Sequence, residues 1–234
     1  MITYSQMHRG EFLRRPNRFL ADVLVDGQEV VCHVKNTGRC RELLVPGAEV
    51  WCQHHDKSDR KTMWSLITVR KGLKLVNMDS QVPNRLARQW VEGGGLGFVP
   101  EAVRAEQTHG DSRFDLYFER DGKPCFLEVK GVTLEENGVA RFPDAPTERG
   151  TKHLRGLIRA ASEGFGAYVL FVVQMEGVAY LEPNWATDPT FSQALCNCAD
   201  AGVQILAVSC RVTTDAIEMT QSIPVKLGRS APQA

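Results

Sequence analysis

The stretch "SRFDLYFERDGKPCFLEVKGVTL", residues 112–134, reads as two β-strands joined by a tight turn that begins at Asp121. Side chains two residues apart in a strand share a face, so Glu128 and Lys130 lie on the same face as Phe126. Burying a carboxylate and an ammonium without partners would cost free energy. The two residues therefore either meet water at the edge of a sheet or form a polar site.

The first strand of this hairpin carries another charged group, Asp115, between apolar neighbours. Because Asp115 and Glu128 lie on neighbouring strands, their carboxylates can converge across the pair. Carboxylate oxygens are ligands that Mg²⁺ and Mn²⁺ prefer, so the hairpin predicts a site for one of these metals. Lys130 on the same face would orient an attacking water or neutralise charge on a scissile phosphate.

The predicted catalytic residues are thus Asp115, Glu128 and Lys130. A further carboxylate, Glu106, lies in the strand before the hairpin, so the predicted metal ligands are Glu106, Asp115 and Glu128. Two plainer interpretations stay open at this level. The hairpin charges would also fit a cross-strand salt bridge on an exposed face, and Glu106 would fit an ordinary surface position.

Helical and strand patterns extend from the hairpin in both directions. Apolar spacing and end signals predict helices at residues 82–95, 147–164 and 187–202. The last helix begins with Asp188 as N-cap and Pro189 as its first residue. Further strands are predicted at residues 98–107, 167–175 and 203–212, of which the last closes the sheet. The part of the chain from residue 82 to 234 is therefore expected to be an α/β domain with a mixed sheet.

Residues 1–81 show a different pattern, with short β-rich runs separated by turns. Two of these runs lie within residues 18–34, and the others lie at residues 48–55, 62–70 and 73–78. Five such strands in about 80 residues indicate a small β-barrel, for which the oligonucleotide-binding (OB) type is one candidate. Residues 1–100 hold 15 Lys and Arg against 10 Asp and Glu, whereas residues 101–234 hold 13 against 18. Such an asymmetry fits a polyanion-binding module beside a carboxylate-rich site, with chance as the plain alternative.

Basic side chains mark the surface on which nucleic acid would lie. They cluster near the first predicted strand, after the segment "NTG" and on the helix that follows the hairpin. The predicted nucleic-acid contacts are Arg14, Arg15, Arg18, Arg39, Arg41, Lys152 and Arg155. A barrel with a basic groove favours nucleic acid as partner, although solubility alone would also explain surface arginines.

The chain shows no sign of a membrane location. No apolar run approaches the roughly 20 residues that a membrane-spanning helix needs, and the first residues lack the apolar core of a signal peptide. We therefore expect a cytoplasmic protein without a membrane partner. The seven cysteines have no disulfide-framework spacing and are expected to be free thiols. Whether the chain forms a homodimer is left open.

Several segments, taken in order, resemble the bacterial sugar fermentation stimulation protein A (SfsA) family. They are "FLRRPNRFLADV", "HVKNTGRCRELLVPG", "VNMDSQVPNRL", "SRFDLYF", "FLEVKGVTL" and "FPDAPTERGTKHLRGL". The resemblance covers nearly the whole chain. It implies an OB-fold domain at residues 1–81 and a domain similar to the PD-(D/E)XK nucleases at residues 82–234. It also implies DNA binding without strong sequence preference and a regulatory link to sugar (maltose) metabolism.

Single residues can be carried over from this resemblance. Asp115 corresponds to the aspartate of the nuclease motif, and Glu128 with Lys130 to its E-x-K. Glu106 falls where the family has a glutamate before that strand. The remaining family-motif positions, to which the resemblance assigns no role, are Asn36, Thr37, Asp144, Thr147, Arg149 and His153. For His153 a substrate contact, a base and a packing residue are equally open interpretations. One departure is Phe114, which stands where the nuclease motif has its proline; another is Lys35, where many relatives have proline before "NTG".

Two functions fit these features. The first is an SfsA-type DNA-binding protein that acts as a Mg²⁺- or Mn²⁺-dependent nuclease, cutting phosphodiester bonds as an endonuclease or exonuclease. The second is a non-catalytic, sequence-nonspecific DNA-binding regulator of sugar (maltose) metabolism that retains a nuclease-like fold. A third interpretation, a sugar-responsive protein, finds no direct support because the four tryptophans do not cluster at any lectin-like spacing.

Overall fold

The structure is a computed structural model that describes residues 1–36, 38–56 and 61–228. Its first strand, β1, belongs to a sheet described below, and the next five form a barrel. The six ranges are Ile2–Thr3 for β1, Met7–Asn17 for β2, Leu20–Val25 for β3, Gln28–Val34 for β4, Glu49–His54 for β5 and Trp64–Lys71 for β6. The barrel strands pair in the order β4-β3-β2-β5-β6, and a parallel pairing of β4 with β6 closes the ring. The predicted OB-type barrel is therefore confirmed.

The sequence predicts β3 to β6 as barrel strands, but its fifth barrel strand is β7, at Lys74–Asn77, and it does not predict β2. In the structure β7 only extends β6 outside the ring, and β2 is the fifth barrel strand. Among the eleven residues of β2 only Phe12 is buried, so no apolar alternation reveals the strand. Main-chain pairing with both β3 and β5 holds it in place. Arg14 and Arg15 consequently lie within a strand rather than ahead of the first one.

The second part of the chain is a mixed sheet with helices on both faces. Its elements are α1 (Val82–Glu92), β8 (Glu101–His109), β9 (Ser112–Arg120), β10 (Lys123–Val132), β11 (Glu135–Glu136), β12 (Val139–Phe142), α2 (Glu148–Ser162), β13 (Gly166–Val173), β14 (Tyr180–Pro183), α3 (Pro189–Asp200), β15 (Gln204–Val212) and β16 (Ala216–Ser222). Seven strands follow the order β1-β16-β15-β13-β10-β9-β8, and β11, β12 and β14 form a small separate sheet. The predicted α/β domain with a mixed sheet is therefore confirmed.

The two faces of the large sheet carry different helices. On one face Leu86 of α1 joins a buried cluster with Leu127 of β10. On the other face Leu154 of α2 joins a buried cluster with Phe126, the neighbour of Leu127 along the strand. Since consecutive strand residues point to opposite faces, α1 and α2 sandwich β10 between them.

Local signals account for the helix starts but not for the sheet edge. Asp188 caps α3 by accepting from the backbone N–H of Phe191, and Pro189 is the first helical residue, as predicted. The expectation that residues 203–212 close the sheet is wrong, because β16 and then β1 pair beyond β15. The outermost strand is the start of the chain, a pairing that no local pattern can show.

The domain ranges 1–81 and 82–234 stay a prediction. Among the described residues no helix is long and apolar enough to cross a membrane.

A buried ionic cluster joins the barrel to the second domain. The carboxylate of Glu135, in β11, accepts from the ammonium groups of Lys71 and Lys74 at 2.9 and 2.8 Å, and from the backbone N–H of Gly138 at 2.6 Å. Only 6% of the Glu135 side chain is exposed. Burial alone would raise the pKa of Glu135, but the two ammonium groups and the backbone donor outweigh it and lower the pKa to about 2.

The depressed pKa of Glu135 makes the stability of this protein dependent on acid pH. Because the folded pKa lies below the ordinary value of 4.5, the contribution is complete above that value and is lost as the pH falls towards 2. The size of the shift corresponds to roughly 3 kcal/mol. We expect Glu135→Gln to lower the free energy of unfolding at pH 7 by that order and to flatten its decline below pH 4.5, measured by urea unfolding.

The neighbouring Glu136 supplies a matched control for this experiment. It is exposed and pairs with Arg141 at 2.7 Å on the surface. Exposed ion pairs contribute little, so Glu136→Gln should change the free energy of unfolding by less than about 1 kcal/mol. Equal effects of the two substitutions would contradict the role assigned to the buried cluster.

Candidate active site

The charged hairpin has the geometry that its turn residues predict. Asp121 and Gly122 both adopt positive φ, at 52° and 71°, and connect β9 to β10 as a two-residue turn. In the paired register Leu127 lies opposite Leu116. This is the last paired position of the two strands, so Asp115 and Glu128 follow directly beyond it, where the regular pairing ends. The turn therefore brings the two residues close together on neighbouring strands.

Strand β9 changes face at Asp115. Phe114 lies in the buried cluster on the α2 side, whereas Leu116, two residues later, lies in the cluster on the α1 side. In the neighbouring strand Glu106 falls opposite this point and has a positive φ of 53°. A regular strand would keep Phe114 and Leu116 on one face. The irregularity leaves the Asp115 side chain between the two helical layers.

The Asp115 carboxylate is held by two donors. One oxygen accepts from the backbone N–H of Val129 at 2.7 Å, and the other from the side-chain amide of Asn84, in the first turn of α1, at 2.8 Å. Burial, and next the negative charge of Glu128, raise the pKa of Asp115 above its ordinary value in spite of these bonds. Asp115 therefore has a fixed orientation and lies within the field of the Glu128 charge.

Glu128 is the most deeply buried charged group of the site, with 2% of the residue exposed. Its Oε1 accepts from the Lys130 ammonium at 2.5 Å and also from Nδ1 of His153 in α2. Its Oε2 is buried and meets no hydrogen-bond partner among the described residues. Burial would raise the pKa of Glu128, but the bonds from His153 and Lys130 outweigh it, so the pKa lies below its ordinary value.

Lys130 and Glu106 differ in how they relate to this centre. Lys130 contacts the carboxylate of Glu128 on its own strand, not a carboxylate across the pair. Glu106 is exposed and its nearest cation is Arg113, at 3.7 Å. Among residues 1–36, 38–56 and 61–228 no group of three or more His, Cys, Asp and Glu side chains is arranged to hold a metal. The structure thus brings together Asp115, Glu128 and Lys130, with Glu106 outside the cluster.

Two contacts of the site were not identified from the sequence. Asn84 lies in the matching segment "VNMDSQVPNRL", but no role was assigned to it, and its place beside Asp115 depends on how α1 packs against the sheet. His153 is a family-motif position, but the sequence leaves its role open between a substrate contact, a base and a packing residue. Its bond to Glu128 joins positions 25 residues apart in the chain, and only the docking of α2 shows it.

The other family-motif positions have mainly local roles. The Asn36 side chain accepts from the backbone N–H of Gly38 at 2.8 Å, and Thr147 caps α2 by accepting from Gly150 at 3.1 Å. The Asp144 carboxylate accepts from the backbone N–H of Arg39 at 3.1 Å and so links the two domains. Of the last two positions, Arg149 is exposed, and Thr37 lies outside the described residues.

The predicted nucleic-acid contacts fall into separate groups. Arg39, Arg41 and Arg155 are exposed, and the Arg18 guanidinium lies over the Phe19 ring at 4.8 Å. Two more are engaged in ion pairs, Arg14 with Asp22 at 2.6 Å and Lys152 with Asp111 at 3.6 Å. None of these contacts tests nucleic-acid binding, which stays a prediction.

Arg15 has a structural task. Its guanidinium donates to four backbone carbonyls, those of Arg18, Asn36, Gly38 and Arg39, at 2.7 to 2.9 Å. These bonds tie the strand β2 to the segment that follows β4. A guanidinium occupied in this way has few donors left for a phosphate.

We expect Arg15→Ala to lower the free energy of unfolding by roughly 2 to 4 kcal/mol, because it leaves carbonyls without their charged donor. Arg41 is exposed, and Arg41→Ala should leave stability within about 0.5 kcal/mol. Urea unfolding of both variants measures the difference. If Arg15→Ala keeps full stability but weakens DNA binding as much as Arg41→Ala does, Arg15 is a phosphate contact instead.

The fold and the site together define a two-domain protein, with an OB barrel followed by a mixed-sheet α/β domain. The hairpin of the second domain carries Asp115 on one strand and the E-x-K residues Glu128 and Lys130 on the other. The sequence matches the family described as "SfsA N-terminal OB domain" over residues 13–78 and as "Sugar fermentation stimulation protein RE domain" over residues 81–216. The chain belongs to the SfsA family.

Individual relatives resemble the chain over almost its full length. A sugar fermentation stimulation protein homolog of Desulfitobacterium hafniense is 53% identical, covering 97% of this chain and 99% of the relative. A homolog from Clostridium beijerinckii is 50% identical, with coverage of 97% and 100%. Among solved structures, Pyrococcus furiosus SfsA in complex with Ca²⁺ is 27% identical, with a TM-score of 0.87 and coverage of 96% and 98%.

Proposed function

We propose that this protein is a divalent-metal-dependent nuclease that acts on DNA, with Asp115, Glu128 and Lys130 as its catalytic residues. The observation that carries the proposal is the Oε2 atom of Glu128, which is buried and without a hydrogen-bond partner among the described residues. The next residue, Val129, donates its backbone N–H to the Asp115 carboxylate, so the two carboxylates belong to one site. A buried carboxylate oxygen without a donor is costly unless a cation meets it.

The donor set fits Mg²⁺ or Mn²⁺. Asp115 and Glu128 offer hard carboxylate oxygens, and burial, followed by the negative charge of Glu128, raises the pKa of Asp115. The related Pyrococcus furiosus protein was solved with Ca²⁺, another cation that takes oxygen ligands. Glu106 lies opposite Asp115 in the neighbouring strand, but its exposed carboxylate pairs with Arg113, so it would become a further ligand only by leaving that contact. When bound, the metal would lower the pKa of a coordinated water and stabilise negative charge on the phosphate.

The chain's own residues would perform the remaining tasks. Lys130 has 13% of its side chain exposed, so the side chain that holds Glu128 still reaches solvent. From there it can orient the attacking water and offset charge on the scissile phosphate. Val129 and Asn84 fix the Asp115 carboxylate through its two oxygens. Such fixed donors reduce the reorganisation needed during the reaction.

DNA would contact both domains through exposed cations. The segment that bears Arg39 is joined to the second domain through Asp144, and Arg155 projects from α2, the helix that contacts Glu128. Contacts of this kind address phosphates, so binding should be sequence-tolerant and should weaken with salt. The nucleic-acid substrate is therefore proposed as DNA without sequence preference.

A second candidate is a non-catalytic DNA-binding regulator of sugar metabolism. Two observations favour it: Lys130 is already paired with Glu128, and the described residues contain no group of three metal-binding side chains. This candidate predicts the same salt-sensitive DNA binding but no cleavage.

Cleavage assays separate the two candidates. We expect plasmid and branched DNA to be cut in Mg²⁺ or Mn²⁺, and Asp115→Asn to reduce the rate by roughly 100-fold or more because a charged metal ligand is lost. Asp121→Asn is the matched control, since Asp121 lies in the same hairpin at an exposed turn position that tolerates asparagine. Equal cleavage by all three proteins would place the activity elsewhere, and salt-sensitive binding without any cleavage would favour the regulator.

A further inference from the structure

We infer that His153 is a positioning residue, which holds the Glu128 carboxylate so that its second oxygen stays free for a metal ion. The inference rests on the proposed function, because it assigns a role at the same site. Its starting point is the unequal treatment of the two oxygens. Oε1 of Glu128 accepts from both His153 and Lys130, whereas Oε2 meets no partner among the described residues.

The carboxylate of Glu128 determines that Nδ1 of His153 is the hydrogen-bond donor in their contact. An ionised carboxylate only accepts hydrogen bonds, so Nδ1 of His153 must carry the proton that points at Glu128. That proton is present both in one neutral tautomer and in the imidazolium, so the contact does not depend on the charge of the ring. Nδ1 is therefore unable to ligate a metal while it holds Glu128.

The position of the ring is set by well-anchored structure. Thr147 caps α2, and its own backbone N–H donates to the Asp188 carboxylate at 2.8 Å, which ties the start of α2 to the start of α3. His153 itself is buried, as is the following residue, Leu154. The helix thus presents Nδ1 from a rigid base, on the side of the sheet to which Phe126 and Glu128 point.

Loss of this donor would leave Lys130 as the remaining holder of Oε1. The carboxylate could then turn and exchange its oxygens, and the ammonium would follow either of them. Donors that orient a ligand carboxylate typically change metal affinity by about 10- to 100-fold. A packing role alone would change stability without changing metal affinity in this way.

The test is direct binding of Mn²⁺ to the full-length protein, by calorimetry and by the loss of the free Mn²⁺ paramagnetic resonance signal. We expect His153→Ala to bind Mn²⁺ about 10- to 100-fold more weakly than the unsubstituted protein. His153→Asn should restore most of the affinity, because its amide nitrogen lies near the place of Nδ1. His153→Gln should not, because its amide nitrogen lies near the place of Nε2.

A second histidine offers a matched control. His109 also pairs with a glutamate, through Nε2 to Glu163 at 2.7 Å, and its ring stacks on Phe126 without a hydrogen bond to Glu128. His109→Ala should bind Mn²⁺ as tightly as the unsubstituted protein. Thermal unfolding of every variant establishes which of them are folded, and if His153→Ala is not, the comparison of Asn with Gln carries the test.

The outcomes distinguish this inference from the proposed function. If the unsubstituted protein binds no Mn²⁺, or binds it equally after Asp115→Asn, the metal site itself is refuted. If Asp115 is required but folded His153→Ala binds Mn²⁺ as tightly as the unsubstituted protein, the metal site stands and the role of His153 is overturned. Equal affinity of His153→Asn and His153→Gln would overturn it as well.

Discussion

A carboxylate enclosed in a sheet needs donors, and the surroundings of Glu128 supply them from two separate elements. Lys130 comes from the same strand and His153 from the helix packed above it. The second contact exists only if α2 docks in the correct place. Correct docking in turn depends on the capped start of α2 and on the apolar residues beneath it. The electrostatics of the site are therefore coupled to the packing of the whole second domain.

The site also receives side chains from both faces of the sheet. Strand β9 changes face at Asp115, which brings that carboxylate to Asn84 of α1, while Glu128 faces His153 of α2. A strand with regular alternation would direct both carboxylates into one layer. The irregular step allows two helices on opposite faces to contribute to one small centre, in which Oε2 of Glu128 meets no hydrogen-bond partner among the described residues.

The lysine and arginine side chains of this protein perform different tasks. Lys71 and Lys74 neutralise a buried glutamate between the domains, Arg15 binds backbone carbonyls, and Arg41 is exposed to solvent. In the sequence these residues look alike. Each task depends on burial and on the acceptor that the fold places nearby, so charge counts alone cannot separate a structural cation from a DNA contact.

The sequence by itself determined the features that depend on neighbouring residues. These include the turn at Asp121, the cap at Asp188, the alternation that directs Glu128 and Lys130 to one face, and the hairpin that brings Asp115 and Glu128 onto neighbouring strands. Tertiary structure decided the rest. It made a barrel strand of β2, whose pattern is polar, and joined β1 to β16 at the sheet edge. It also placed Asn84 and His153 at the site and left Glu106 outside it. The reason is that turns, caps and alternation arise from local backbone geometry, whereas strand partners and buried hydrogen bonds depend on which distant segments the packed core brings together.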